Sequence, residues 1–398
     1  MRFQMEQTKQ DPVKIRFLLL GSLIYNIGIS FIWPLTTIYM HQYLHQTLTV
    51  AAIVLLLYYG TTLLGNAIGG AIFDKITPFK TILLGAIITS FCALAMFLIP
   101  SWPFYPIFLV IYGIGDGVVT TAINSIATTM KTHASSFFFN LLYMTRNLGL
   151  VIGSLLVGII TFLGPQAWFA SAFTFFVVFT GLLLLFFRKL DQANLVQAAP
   201  TPIQRNFSSK KNFWTIISLV ICMFFCWLAY EQWDSNLSVH MLNHGISTAE
   251  YSFCWTLNSA LITISQPILT YFDSYLSKKI NARLYIGFTL FASSFLILIG
   301  ANNYSNYLLA MFILTCGEAL AFPAVSAYVH AHAPKNQAGR YQGLVLAGTS
   351  AGRALAALFG AILLNHMTMP VLLLILASLI IISLINFILF NSLKQKDA

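Results

Sequence analysis

The 398-residue chain is 58% apolar and only 8% charged, with a mean hydropathy of +0.80. Soluble domains carry about a quarter charged residues, so this composition excludes a water-soluble globular protein and calls for lipid. The net charge of +10 does not point to nucleic acid, because the basic residues are sorted by side of the membrane rather than gathered in one patch.

A helix crosses the hydrocarbon core with roughly 20 apolar residues. Cutting the chain at charges and turn residues predicts spans near 15–40, 49–73, 79–99, 104–130, 136–163 and 167–188. A second set follows near 213–241, 248–273, 283–300, 305–332, 339–366 and 370–391. The expected fold is an all-α membrane protein of twelve transmembrane helices in two pseudo-symmetric six-helix bundles. Residues 1–190 form the first bundle and 213–398 the second. Between them 191–212, with Asp191, Pro200, Pro202, Arg205, Lys210 and Lys211, reads as a cytosolic linker. The first apolar run has no small-residue cleavage signature and reads as a retained span. All 21 Lys and Arg except Arg146 and Arg353 fall in the N-tail, in loops on that side, or in the C-tail. The positive-inside rule then places both termini of this multi-pass cell-membrane protein in the cytosol, with the basic residues against anionic lipid.

In chain order, span one supplies Tyr25 and Trp33, aromatic faces on which a flat lipophilic cation would stack. His41 and His45 follow at its outer end, and His240 and His244 repeat that spacing at span seven. No cysteine or carboxylate accompanies these imidazoles, so they read as interfacial polar residues and no metal is assigned. The loop after span two reads Gly70-Ala71-Ile72-Phe73-Asp74-Lys75, with Lys80 beyond it. This resembles the signature of the major facilitator superfamily, in which Gly, Asp and basic residues clamp the cytosolic ends of neighbouring helices. Thr77 and Pro78 stand where that pattern has Gly and a basic residue. The resemblance implies the major facilitator fold, with Gly70, Asp74 and Lys75 in conformational gating.

Span four carries Gly115-Asp116, and span five carries Tyr143-x-x-Arg146-Asn147-x-Gly149. The run Gly149-x-x-x-Gly153-Ser154-Leu155-Leu156-Val157-Gly158 resembles the family's antiporter motif, with Ser154 replacing its proline and Val157 one glycine. Small-residue helix packing produces the same pattern without antiport. Together with Tyr230-Glu231-Gln232-Trp233-Asp234-x-x-Leu237 in span seven and Gly317-Glu318-x-x-x-x-Pro323 in span ten, these stretches look like the drug:proton antiporter branch of bacterial multidrug exporters. That resemblance adds Gly149, Gly153 and Gly158 to the gating residues. Leu109 occupies the place of the branch's span-four arginine, so the proton route is not that of the branch unaltered.

The halves echo each other at an offset of about 202 residues: Gly115-Asp116 with Gly317-Glu318, Leu35 with Leu237, and, at a slightly larger offset, Arg146 with Arg353. Charged groups at mid-membrane cost ~2.5 kcal/mol or more, and mark either function or a structural ion pair. Counting ~1.5 Å per residue puts Glu318 and Arg353 both ~21 Å from the cytosolic side, which pairs them by depth. Asp116 at ~21 Å and Arg146 at ~15 Å match less well. Glu231 and Asp234, three residues apart with no base on their helix, are expected on one face, where repulsion leaves one of them protonated. A carboxylate poised in this way exchanges its proton for a cationic substrate. Asp234 and Glu318 are therefore the expected coupling acids, with Glu231 and Asp116 supporting. Arg146, Arg353, Tyr25, Trp33, Tyr143, Asn147, Tyr230, Trp233 and Trp255 are the expected substrate contacts.

No P-loop, HExxH or GxSxG pattern occurs, which disfavours ATP-driven transport and enzymatic chemistry. The chain reads as a monomeric, cofactor-free, proton-coupled secondary transporter. Its partners are a small-molecule substrate, protons and membrane lipids, and export of lipophilic or cationic compounds by alternating access is the leading expectation. Proton-coupled uptake of a sugar, peptide or organic anion clasped by the two arginines is the alternative, and lipid or glycolipid translocation a third.

Overall fold

A chain this apolar must satisfy its backbone hydrogen bonds inside each segment, and the α-helix does so. The computed structural model describes residues 2–129, 135–187, 210–301, 303–333 and 338–396; the expected linker at 191–212 lies outside these up to residue 209. The helices are α1 Arg2–Ile29, α2 Thr36–Ile38, α3 Leu48–Lys75, α4 Pro78–Leu98, α5 Phe104–Thr129, α6 Ser135–Ile160 and α7 Pro165–Leu182. After them come α8 Lys210–Tyr230, α9 Asn236–Asn243, α10 Thr248–Tyr271, α11 Asp273–Leu276, α12 Ile280–Ile299, α13 Tyr304–His332, α14 Ala338–Leu364 and α15 Met369–Lys396.

Among the described residues, 11 segments are long and apolar enough to cross a bilayer. The expected span that is missing from them is α10. Its 24 residues would reach ~36 Å, but Glu250, Ser252, Thr256, Asn258, Ser259 and Gln266 dilute its apolar character. Thr77 and Pro78, the departures from the family signature, have a local purpose. Thr77 caps α4 by accepting from the Lys80 N–H at 3.4 Å, and Pro78 stands at the first helical position, where no N–H is needed.

The chain divides into two compact units, one of Met1–Ala198 with Tyr251–Ala260, the other of Ala199–Glu250 with Leu261–Ala398. The expected bundles differ from this in the first part of α10, which groups with the first unit. In the first unit α4 packs on α5 and α7, and α1 on α6 and α7; in the second α12 packs on α13 and α15, and α8 on α14 and α15. These are the same neighbours under the repeat. Close approach explains the match: a Cβ on Gly85 would stand 2.9 Å from the Gly115 carbonyl, and one on Gly287 2.9 Å from the Gly317 carbonyl. Only glycine lets two helices touch backbone to backbone in this way.

One pairing is not repeated. In the first unit α3 lies along α5, with Gly65 so close that a Cβ would be 2.3 Å from the Ile114 carbonyl. Its counterpart α10 has Pro267 and Tyr271 at the places of Gly65 and Gly69, and among the described residues shares no comparable face with α13.

The repeat also corrects the pairing of Arg146 with Arg353. Gly149 faces the Leu23 carbonyl, Asn26 Cβ and Ile27 N, while Gly352 faces the Phe224 carbonyl, Trp227 Cβ and Leu228 N. Backbone contact therefore makes Gly149 the counterpart of Gly352. Arg146 precedes its glycine by one helical turn and Arg353 directly follows its own, so the arginines are not equivalent.

Candidate functional site

Spans one and seven are interrupted at corresponding places. After α1 the bonds tighten, with Phe31 N donating to the Gly28 carbonyl and Ile32 N to that of Ile29; after α8, Gln232 N donates to Ala229 and Trp233 N to Tyr230 in the same manner. Interrupted spans at matching positions of two halves point to a transport site. The interruption also revises the expectation for span seven. Glu231 and Asp234 lie in the turn between α8 and α9, not on one helix face.

In the first unit the centre is Asp116 of α5, 8% exposed. The Tyr25 hydroxyl donates to its Oδ1 at 2.9 Å, and the Tyr58 hydroxyl reaches its Oδ2 at 3.5 Å. Tyr112, one turn before Asp116, stacks with Tyr58 at a centroid distance of 6.2 Å. Phenolic hydroxyls directed at a buried carboxylate offer it hydrogen-bond donors in place of water. Arg146 is exposed, as is Tyr143. Asn147 is buried but donates to the Tyr143 carbonyl of its own helix at 2.8 Å. That bond uses one of its two amide N–H donors.

Gly149 and Gly153 serve as helix contacts, seating α6 on Asn26 and Ser30 of span one. Ser154, which stands where the motif has proline, meets the Thr256 hydroxyl at 2.7 Å. Trp33 donates its indole N–H to the Tyr59 hydroxyl at 3.0 Å and meets Trp255 edge-on at 4.8 Å. Gly158 is half-buried; Gly70 has Thr121 Cγ2 at 3.9 Å from where its Cβ would be; Lys75 is exposed; and the Asp74 side chain lies outside the described residues.

In the second unit Arg353 Nε donates to Glu231 Oε1 at 2.7 Å, and its guanidinium lies 4.8 Å over the Trp227 ring. Depth had paired this arginine with Glu318 and found no base on the helix of Glu231; the base that reaches Glu231 comes from α14, because depth counts rise along a helix and say nothing of rotation about it. Gln232 and Asn236 anchor the same turn to α14: Gln232 donates to the Ala356 carbonyl at 2.6 Å, and Asn236 to that of Ala357 at 3.1 Å. Asp234 and Glu318 are 1% and 6% exposed. Tyr230 packs on Trp227 at 5.1 Å and Phe291 at 6.1 Å, whereas Trp233 is completely buried.

The structure thus gathers Tyr25 with Asp116, Trp33 with Trp255, Glu231 with Arg353, and Tyr230 with Trp227 beneath that arginine, and leaves Arg146 exposed. Sequence reasoning missed Tyr58, Tyr112, Gln232 and Asn236. Two signals were there: Tyr112 stands i−4 from Asp116, and Gln232 and Asn236 are spaced i,i+4 in an apolar span. At the far ends of spans one and seven His41 Nδ1 lies 2.9 Å from the Gln46 carbonyl, and the His240 and His244 rings lie 4.1 Å apart, tilted by 42°. Among the described residues no three metal-type side chains converge.

A model of the Major Facilitator Superfamily matches residues 18–279 and 235–397. The chain is 34% identical over 380 residues to YttB of Bacillus subtilis (strain 168), an uncharacterized MFS-type transporter, with 96% of each covered. Among solved structures it is similar in fold to the POT family transporter PepTSo, with a TM-score of 0.78 at 13% identity over 97% of this chain and 99% of that one. A POT family transporter in complex with 5-aminolevulinic acid gives a TM-score of 0.82 at 15% identity, over 95% of this chain and 96% of that one.

Proposed function

The chain belongs to the major facilitator superfamily, and from that premise we propose that it is a proton-coupled secondary transporter exporting lipophilic, cationic small molecules by alternating access. A multi-pass membrane transporter, not an enzyme, is the function of its family. The observation that carries the finer reading is the placement of Asp116 and Glu318. Both are buried, and each follows a glycine at a repeat-related helix contact. Acids held there serve as proton sites better than as architecture, since the glycines already fasten the helices. Asp234, buried in the interrupted part of span seven, is the third coupling acid. Glu231, engaged by Arg353, is assigned to the substrate path instead. Two bundles with the bounds 1–190 and 213–398, cytosolic termini and a monomeric state belong to the same proposal.

Transport into proteoliposomes under an imposed pH gradient tests it, with a fluorescent lipophilic cation beside labelled sugars and peptides. Cation movement opposite to proton flow is expected, and its loss in Asp234→Asn and in Glu318→Gln. Full coupled transport in the double variant overturns the assignment of these acids. Proton-coupled uptake of an anionic or zwitterionic compound is the second reading, favoured by the exposure of Arg146 and the partial exposure of Arg353. Uptake lost in Arg146→Gln would establish it instead.

A further inference from the structure

Glu231, Trp227 and Arg353 form a cation site that the chain itself fills. A carboxylate beside an indole face is the chemistry that recognises an organic cation. Trp227 belongs to an aromatic group, lying 5.1 Å from Tyr230 and 5.5 Å from Phe322, with Phe291 5.8 Å from Phe322. Into this box projects a guanidinium, on Glu231 at 2.7 Å and over Trp227 at 4.8 Å.

Two observations set this apart from an ion pair that only fastens helices. The partners are unequally buried: the Glu231 side chain is 2% exposed and that of Arg353 29%. A charge pair is weak evidence of fastening, because desolvation offsets the attraction, and here the cation is approachable while the anion lies behind it. The fastening is also done by other groups. Gly352 brings α14 against the Phe224 carbonyl, and Gln232 and Asn236 bond to the carbonyls of Ala356 and Ala357. The helices keep their register without the ion pair, leaving movement to the long arginine stem.

We propose that Arg353 is a tethered counter-cation. A monovalent organic cation displaces it from Glu231 and Trp227, and its return expels that ligand. This inference rests on the export reading above and assigns to one residue the step that reading leaves open, the release of a cation from a carboxylate. Arg353 then lowers ligand affinity and speeds turnover. An uncharged compound of the same shape, unable to compete for Glu231, is excluded.

The test measures KM and maximal rate for a fluorescent lipophilic monocation in proteoliposomes for the wild type, Arg353→Gln, Arg353→Lys and Glu231→Gln. Arg353→Gln is expected to lower KM and the maximal rate together, each by about tenfold, because tighter binding is gained at the expense of release. Arg353→Lys, a competing cation without the planar fork, is expected to keep the rate within about threefold and to lower KM only slightly. Glu231→Gln is expected to raise KM. An unchanged or raised KM in Arg353→Gln, in a variant that remains monodisperse, overturns the inference while leaving the export reading intact. If Arg353→Gln does not fold, the other two variants decide: a KM unchanged in both Arg353→Lys and Glu231→Gln overturns it. A wild-type chain that moves no cation overturns both.

Discussion

The contact of span one with span five and that of span seven with span eleven begin alike and end differently. Gly149 and Gly352 meet the same three backbone and Cβ features of the facing helix. One turn further on, the first unit sets Ser30 against Gly153, with the serine hydroxyl bonded back to the Asn26 carbonyl of its own helix. The second unit places Glu231 at the position of Ser30 and pairs it with Arg353 of α14, while the next residue, Gln232, sends its amide across to the same helix, with Asn236 reinforcing it. A steric contact between small residues has no preferred direction and tolerates sliding, whereas a buried hydrogen bond fixes register because breaking it strands a polar group. The same duplicated scaffold therefore makes the contact of span one with span five by shape and that of span seven with span eleven by polar bonds as well.

The largest test of this comparison is to strike the shared contact. Gly149→Leu and Gly352→Leu are each expected to cost about 3 kcal/mol in equilibrium unfolding in detergent micelles, since the new side chain meets backbone rather than a yielding side-chain end. Equal losses sustain the equivalence of the two glycines; a loss confined to one breaks it. Next comes the carboxylate of the first unit. Tyr25→Phe removes the 2.9 Å hydrogen bond to Asp116 and is expected to cost about 2 kcal/mol by the same measurement, the usual range for a hydrogen bond to a charged group.

The difference between the two contacts is read by pairing Gln232→Leu with Ser30→Ala. The amide substitution is expected to cost about 1 kcal/mol, while loss of the serine's bond to its own helix changes stability by less than about 0.5 kcal/mol. A serine effect as large as the glutamine effect would contradict the division into shape and polar bonds. The smallest effect lies at the starts of α4 and α12. Thr77 caps α4 with its side chain, but Lys279, in the same place before α12, makes no side-chain cap. Thr77→Ala is expected to lower stability by up to about 1 kcal/mol, and Lys279→Thr to raise it by up to the same amount.

Much of this was legible in the residues. The spans follow from runs of apolar side chains, which lipid selects whatever the partner helices are. The repeat was visible in Gly115-Asp116 and Gly317-Glu318, because glycines at helix contacts recur wherever the packing recurs. Asp116, Glu231, Asp234 and Glu318 were identified by the cost of an acid in hydrocarbon, a property of the residue and its depth alone.

Partners were a different matter. Glu231, with no base on its own helix, meets Arg353 of α14, and Asp116 meets Tyr25 and Tyr58, because contact depends on the rotation of each helix about its axis. Composition and depth do not contain that angle. The interruption of span seven was hidden as well, since 231–235 holds neither glycine nor proline, and its backbone is turned by bonds that Gln232 and Asn236 send to another helix. The sequence by itself thus determined the membrane, the spans, the duplication and the charged residues that lipid does not tolerate. Tertiary structure alone decided which charges face one another and how span seven is anchored where it breaks, because Arg353 and the carbonyls of Ala356 and Ala357 arrive from an element more than a hundred residues away.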